Sequence, residues 1–382
     1  MFRTSRRAFV LVGFRAAGVV RAILTEINTA LCAIGVDSRL LESSEVTETL
    51  PGLDPETYFV VDFNNRFHLR GVRKFSFMGD HPCTRLDDLT QRHTGTEILG
   101  WVDGSHPAAV TALGFPHPSL FCPDAGPDPI AAPMPYGERD IDIFFCGTLK
   151  EAVDRASWAA AHPNWPEFLT ALLFDTVDAI TGSVEPALDL FLKVWAAHGV
   201  EPGQLRRAEF CALLTRVLEV AEFNRRIEVL EALPDCRLAI VSNALPARLK
   251  DRPNRTFLSR IDDYGEICDL MGRSKLVLDT TCKFPQGSHE RIWFAMAQGT
   301  VLLTDRSSFM ERDFADRRDI LYLPKRNPAG ELAELRALIE APAALQEIAA
   351  RAALTYRAKH RWKDRVAIIA DAVSGAASPR AA

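Results

Sequence analysis

Residues Gly287-Ser288-His289-Glu290-Arg291 set a flexible glycine, a hydroxyl, an imidazole, a carboxylate and a guanidinium side by side. Their surroundings, Ser274 to Asp305, read strand, loop, helix, strand. Lys275 to Thr280 is a short apolar run. Gln286-Gly287-Ser288 offers a turn and an N-cap. Glu290 to Gln298 carries an apolar face of Ile292, Phe294, Ala295 and Met296, and Gly299 stops it. Thr300 to Thr304 is the next buried strand. A loop feeding a helix start presents backbone N–H groups without intrahelical partners and the positive end of a helix dipole. That chemistry suits a phosphate. Ser288 is expected to cap the helix while neighbouring amides hold a diphosphate. Arg291 would add a charge-assisted bond, and His289 a bond to phosphate or sugar. The same residues would also make a plain helix cap with a solvated first turn.

The run ERIWFAMAQGTVLLTD resembles the C-terminal half of GT-B glycosyltransferases of the "glycosyl transferases group 1" set, in its bacterial spore-maturation-like branch. Ser274, Lys275, Gly287, Arg291, Ala295, Ala297, Gly299, Thr304 and Asp305 match that pattern. The resemblance implies a glycosyltransferase of hexosyltransferase type. It would move a sugar from a nucleotide-diphosphate donor to an acceptor hydroxyl or other nucleophile, without a metal or other cofactor. One position departs: the family's usual carboxylate, implied to bind the nucleotide ribose, is Phe294 here. Glu290, one helical turn earlier, is the nearby acid. Two other readings stand beside the transferase. One is a non-catalytic binding or assembly protein on the same scaffold. The other is a sugar-nucleotide epimerase, which would want several acids lining the cleft.

Further candidates lie at strand exits. Cys146-Gly147-Thr148 ends a strand, and its glycine would let a ligand approach the backbone; the resemblance implies that it faces the phosphates. Ser242-Asn243 suits base or ribose contacts, or simply a satisfied turn. Gly79-Asp80-His81-Pro82 ends another strand, so Asp80 or His81 is the candidate base for an inverting transfer. Asp103-Gly104-Ser105-His106-Pro107 is a similar exit. Gly13-Phe14-Arg15 lacks the full dinucleotide-binding glycine spacing, so no nicotinamide site is read there. Asp140-Ile141-Asp142 has a D-x-D form, but it enters a strand after a linker and is read as chance. Arg225-Arg226 reads as a solvated helix face or an ion pair. His360 and Trp362 are expected to pack the last helix.

The elements that must position these residues form an α/β protein of two Rossmann-like domains facing a cleft, the second with a helical insertion. Strands at Ala8–Gly13, Tyr58–Phe63, Lys74–Met78 and Ile98–Val102, with a helix at Ala17–Ile34, imply parallel βαβ units over residues 1–122. This half would take the acceptor. Residues 123–140 hold five prolines and two glycines and read as a linker. Residues 141–342 form the nucleotide-sugar domain, with strands at Ile141–Phe145, Arg237–Val241 and Ile320–Leu323 and a helical insertion at 151–232, far longer than ordinary connections. Ile267–Gly272 and Glu331–Ile339 read as helices. Ala343–Val373 is read as one helix, which the resemblance implies crosses back to the first domain within the closing segment 343–382. The Ala-rich tail is expected to fray.

The 382 residues suit two domains, and 47% hydrophobic with 25% charged content is globular. A net charge of −5 argues against a general nucleic-acid binder. The partners expected are the nucleotide-sugar donor and a protein, lipid or polysaccharide acceptor. The eight cysteines show no zinc spacing and read as reduced thiols, and no metal site is expected. No apolar run approaches the ~20 residues of a membrane helix. Ser5-Arg6-Arg7 resembles a twin-arginine signal, but Arg15 and Arg21 break the apolar stretch after it. A first strand and a cytoplasmic protein are the expectation.

Overall fold

The computed structural model describes residues 8–13, 18–42, 44–45, 58–67, 69, 71–91, 94–181, 183–201, 203, 205–250, 252–325 and 328–373, with backbone alone for 8–13 and 331. Ser5-Arg6-Arg7, Phe14, Arg15, Ala17 and the Ala-rich tail lie outside the described residues. The chain divides into two compact units. One holds 1–128, 262–264 and 358–382; the other holds 129–261 and 265–357.

The first unit carries a six-stranded sheet in the order β2-β1-β3-β4-β5-β6. The strands are β1 (Ala8–Gly13), β2 (Ser38–Glu42), β3 (Tyr58–Phe63), β4 (Lys74–Met78), β5 (Glu97–Trp101) and β6 (Ser119–Phe121). Every neighbouring pair is parallel. A parallel strand covered on both faces reads as a continuous apolar run. β3 and β4 do so, and almost all their residues are buried. β2 and β6, which the sequence reading does not anticipate, are edge strands of half-exposed residues, so no such run marks them. At the end of β3, Asn64 and Asn65 adopt φ of 59° and 50°, and the Asn64 side chain accepts the Gly79 N–H at 2.9 Å. The exits of β3 and β4 are thereby tied together.

The second unit has six parallel strands in the order β12-β11-β10-β7-β8-β9. They are β7 (Ile141–Cys146), β8 (Leu238–Val241), β9 (Arg255–Leu258), β10 (Ser274–Asp279), β11 (Val301–Thr304) and β12 (Leu321–Tyr322). Four helices, Arg155–Ala161, Glu167–Thr181, Ala187–Ala197 and Arg207–Ala232, separate β7 from β8. Tyr136 and Arg139 fasten the Pro-rich approach to β7. The Tyr136 hydroxyl accepts from Val301 N–H at 2.9 Å, and Arg139 donates to the carbonyls of Ser274 and Gly299 at 2.6 and 3.0 Å.

The closing helix is two helices, Pro342–Lys359 and Trp362–Val373. The break has a backbone cause: Gly126 N–H donates to His360 O at 3.0 Å and Trp362 N–H to Gly126 O at 2.9 Å, a strand-like bridge that no helix can share. His360 and Trp362 are buried as expected, Trp362 edge-on to Phe77 at 5.4 Å.

Candidate functional site

In the second sheet the chain leaves β7 toward β8 on one side, and leaves β10 toward β11 on the other. Strand order reverses between β7 and β10, and loops that diverge at such a point open a crevice at the carboxyl edge. The helix Glu290–Ala297 starts there. Its N-cap residue is His289, not Ser288, and no side chain caps the helix. The Ser288 hydroxyl instead accepts the buried Trp293 indole N–H at 3.0 Å, a bond the indole needs once desolvated. The expected side-chain cap is therefore absent; among the first-turn amides, Ile292 N–H donates to the His289 carbonyl at 3.2 Å. Gly287 is held by its carbonyl, which accepts from Ser307 at 2.7 Å.

Arg291 crosses this edge. Its guanidinium donates to the Cys146 carbonyl at the end of β7 and lies 3.6 Å from the Asp279 carboxylate at the end of β10. It also lies 3.0 Å from His289 Nε2. A Cβ on Gly147 would stand 3.1 Å from Arg291 Nη1 and 3.2 Å from the Phe145 ring, so the glycine makes room for the guanidinium. His289 Nδ1 is 2.6 Å from Glu290. Burial alone would raise the Glu290 carboxyl, but the charge and hydrogen bond of His289 and the charge of Arg291 hold it below its ordinary value. Phe294, one turn on, is buried.

Arg225 and Arg226 are not a solvated face; both are buried and ion-paired. Arg226 donates to the Thr148 carbonyl at 2.8 Å and pairs with Glu222, which also pairs with Lys283. Arg225 reaches Asp305 at 3.1 Å and the Pro324 carbonyl at 2.5 Å. Burial and the neighbouring Asp279 raise the Asp305 carboxyl in spite of Arg225. Glu222, Asp279 and Lys283 were not singled out by sequence, and Asp305 stood out only as a match to the family pattern. Two signals were available: a Glu222…Arg226 pair at helical spacing, and an aspartate closing or following each of two adjacent apolar strands.

Ser242 and Asn243 serve the β7 exit loop. Leu149 N–H donates to Ser242 Oγ at 3.0 Å and lies 3.2 Å from Asn243 Oδ1. Asp140 pairs with Arg273, and Asp142 with Arg237 and Lys275, so the D-x-D carboxylates are committed to ion pairs. Among the described residues no group of three or more His, Cys, Asp and Glu is placed to hold a metal ion.

Asp80 and His81 belong to the first unit, at the exit of β4. Asp80 pairs with Arg85. His81 starts the short turn Pro82–Arg85 and is buried; its Nδ1 accepts the Cys83 N–H at 3.2 Å. In the neutral tautomer this bond leaves Nε2 to carry the ring hydrogen. The His106 ring lies 4.9 Å away at a right angle, and His106 is 4.0 Å from Asp103. The two exits that the sequence shows separately thus share one sheet edge.

Residues 224–371 match a family model described as glycosyl transferase-like. The C-terminal region is a glycosyltransferase-like domain. No curated protein matches the sequence. Among solved structures, the fold is similar to that of sucrose-phosphate synthase from Thermosynechococcus elongatus (TM-score 0.53, 11% identity, 97% of this chain and 99% of that one). It is also similar to Anabaena HepE in complex with UDP-glucose (0.53, 10%, 96% and 99%). A third likeness is to an alpha-glucosyltransferase in complex with UDP and a 13-mer DNA containing an HMU base (0.56, 9%, covering 96% and 99%). At these identities the likeness is one of fold: two Rossmann-like domains of the GT-B type. Among the described residues no helix is long and apolar enough to cross a membrane.

Proposed function

We propose that this protein is a metal-independent glycosyltransferase whose second unit binds a nucleotide-diphosphate sugar at the carboxyl edge of β7 and β10. The observation that carries the reading is Arg291, in the first turn of a helix with no side-chain cap, whose guanidinium reaches past a side-chain-free Gly147 to the exit of β7. A guanidinium beside first-turn amides is suited to the charge that develops on a leaving diphosphate. This arrangement would meet that charge without a metal. The matched family region and the fold likeness support the same class. Asp80 is our candidate base if the anomeric centre inverts, and the tautomer of His81 suits it to donating a bond. We place the enzyme in the bacterial cytoplasm, with a hexose as the transferred group.

A second reading, a binding protein without turnover, draws on one observation. Phe294 is buried and apolar, and the Glu290 carboxylate is engaged by His289 at 2.6 Å. An epimerase is less favoured, because Glu222, Glu290 and Asp305 are each held in ion pairs.

The test is calorimetric titration with UDP, GDP, ADP, dTDP and their glucose conjugates, on the wild type, Glu290→Ala and Arg291→Ala, with donor hydrolysis followed in parallel. Selective binding of one diphosphate, lost in Arg291→Ala, together with slow hydrolysis of its sugar, supports the transferase. Binding without hydrolysis or transfer favours the second reading. No binding by a folded protein overturns both.

A further inference from the structure

Glu222, on the helix Arg207–Ala232, is the shared partner of two cations. Its Oε1 takes Arg226 and its Oε2 takes Lys283. The Lys283 side chain is 17% exposed, whereas those of Arg225, Arg226 and Arg291, its fellow cations at this sheet edge, lie between 2% and 8%. Of these groups Lys283 is the one a solute reaches most readily. Burial alone would raise the Glu222 carboxyl. The charges of Arg226 and Lys283 outweigh it and hold the group below its ordinary value, and His289 is near enough to add to the effect.

Lys283 lies in the loop from β10 to the helix Glu290–Ala297, and that loop turns back on itself. Gly287 N–H donates to the Phe284 carbonyl at 3.3 Å, and the Phe284 ring lies 6.0 Å from the His289 ring. The lysine is thereby kept at the crevice edge that also carries His289 and Arg291. It differs from the arginines in what it can leave behind. Taking Arg291 from Asp279 would strip a buried carboxylate of its ion-pair partner. Moving Lys283 from Glu222 leaves that carboxylate paired with Arg226, which is itself anchored on the Thr148 carbonyl at 2.8 Å. The ammonium carries three donors at the end of a flexible four-carbon stem, so it can change partners while its backbone stays in place. A phosphate group offers it more acceptor oxygens than the single carboxylate oxygen it would leave.

We propose that Lys283 is the residue that distinguishes a nucleoside diphosphate from a monophosphate: it swings from Glu222 to the second phosphate of a ligand whose first phosphate is held by the helix start and Arg291. This inference rests on the reading of the β7–β10 edge as a nucleotide site, and it adds to that site a movable cation with a carboxylate to return to.

The experiment is calorimetric titration of the full chain with UDP, GDP, ADP and dTDP and with the matching monophosphates, on the wild type, Lys283→Met, Lys283→Arg, Glu222→Gln and Arg291→Ala. The wild type should bind one diphosphate at least about tenfold more tightly than its monophosphate. Lys283→Met should bind that diphosphate about tenfold more weakly and the monophosphate as before, with little change in thermal midpoint because Glu222 keeps Arg226. Lys283→Arg should retain most of the preference. Glu222→Gln removes the competing charge and should strengthen diphosphate binding about threefold, which keeps the test decisive should Lys283→Met fold poorly. A lysine that only held Glu222 in place would change the midpoint and move both affinities together. The inference is overturned if Lys283→Met binds the diphosphate as the wild type does, if mono- and diphosphate weaken equally, or if Glu222→Gln weakens the diphosphate. Diphosphate binding lost in Arg291→Ala but intact in Lys283→Met sinks the role of Lys283 and leaves the nucleotide site standing. Binding lost in Lys283→Met but intact in Arg291→Ala keeps Lys283 as a phosphate ligand and sinks the reading built on Arg291. A folded wild type that binds no nucleotide overturns both.

Discussion

Arg291 Nη1 passes so close to Gly147 that a Cβ on the glycine would lie 3.1 Å from it. The pair joins the exit of β7 to the first turn of the helix after β10. A guanidinium held by a carbonyl and a carboxylate is already oriented before any ligand arrives, which lowers the ordering cost of binding an anion.

Gly147→Ala should therefore act through Arg291. The new methyl group meets the Arg291 guanidinium at 3.1 Å and the edge of the buried Phe145 ring at 3.2 Å; a shift of a few tenths of an ångström relieves both, and the guanidinium, at the end of a long side chain, is the group displaced. Calorimetry should show nucleoside-diphosphate affinity falling about tenfold, or ~1.4 kcal/mol, with little change in thermal midpoint. An unchanged affinity would mean that Arg291 is not in the binding site.

Removing Arg291 should expose a second dependence. Asp279 is fully buried, and among the described residues neither of its carboxylate oxygens accepts a hydrogen bond. Its ion-pair partner is Arg291 at 3.6 Å. Taking away one member of a buried pair leaves an uncompensated charge, at a cost on the order of 3 kcal/mol. Urea unfolding of Arg291→Ala should show a loss of that size. Arg291→Ala with Asp279→Asn should recover part of it, and equal stability of the single and double variants would refute the pairing.

How far the sequence speaks depends on where a residue's partners sit in the chain. β3, β4, β7 and β10 are legible because central parallel strands must be apolar throughout. β2, β6 and β9 are half-exposed edges and carry no such mark. Gly287 to Arg291 stood out because helix-start chemistry is local. The burial of Arg225 and Arg226 was not legible, because Arg225's partner Asp305 is 80 residues away and Arg226's Thr148 carbonyl 78. Ser288 looked like a cap, since Ser is a good one; nothing local says that the Trp293 indole will take its oxygen.

The D-x-D segment gives a pH prediction. Burial pushes the Asp142 carboxyl up, but hydrogen bonds from Arg237 and Lys275 outweigh it and hold the group at about 2, against an ordinary 3.8. A carboxyl depressed in the folded state contributes its stability above the ordinary value and loses it as pH falls through the folded one. The loss should run from about pH 4 down to about pH 2 and amount to on the order of 2 kcal/mol. Asp142→Asn should be less stable than the wild type at pH 6, and the gap should close toward pH 2. Denaturant midpoints across that range test it; a gap that stays constant would show that the ion pair contributes nothing to the pH response.

Thiol reactivity tests the packing of the first unit without any ligand. Cys122, after β6, is fully buried, and burial pushes its thiol up to about 12, with Asp124 adding to the rise and Arg365 opposing it. Cys32, near the end of the first helix (Val19–Ala33), is exposed. The thiolate is the reactive species, so both its population and its access decide the rate. With iodoacetamide at pH 8, peptide mass spectrometry should find Cys32 alkylated early. Cys122 should remain unmodified until denaturant unfolds the chain, its rate then rising at least about a hundredfold, because unfolding both returns its pKa toward ~8.5 and removes the barrier of burial. Equal rates for the two thiols in the native protein would mean that the β5–β6 edge opens on the timescale of labelling, and that the burial described for Cys122 does not persist in solution.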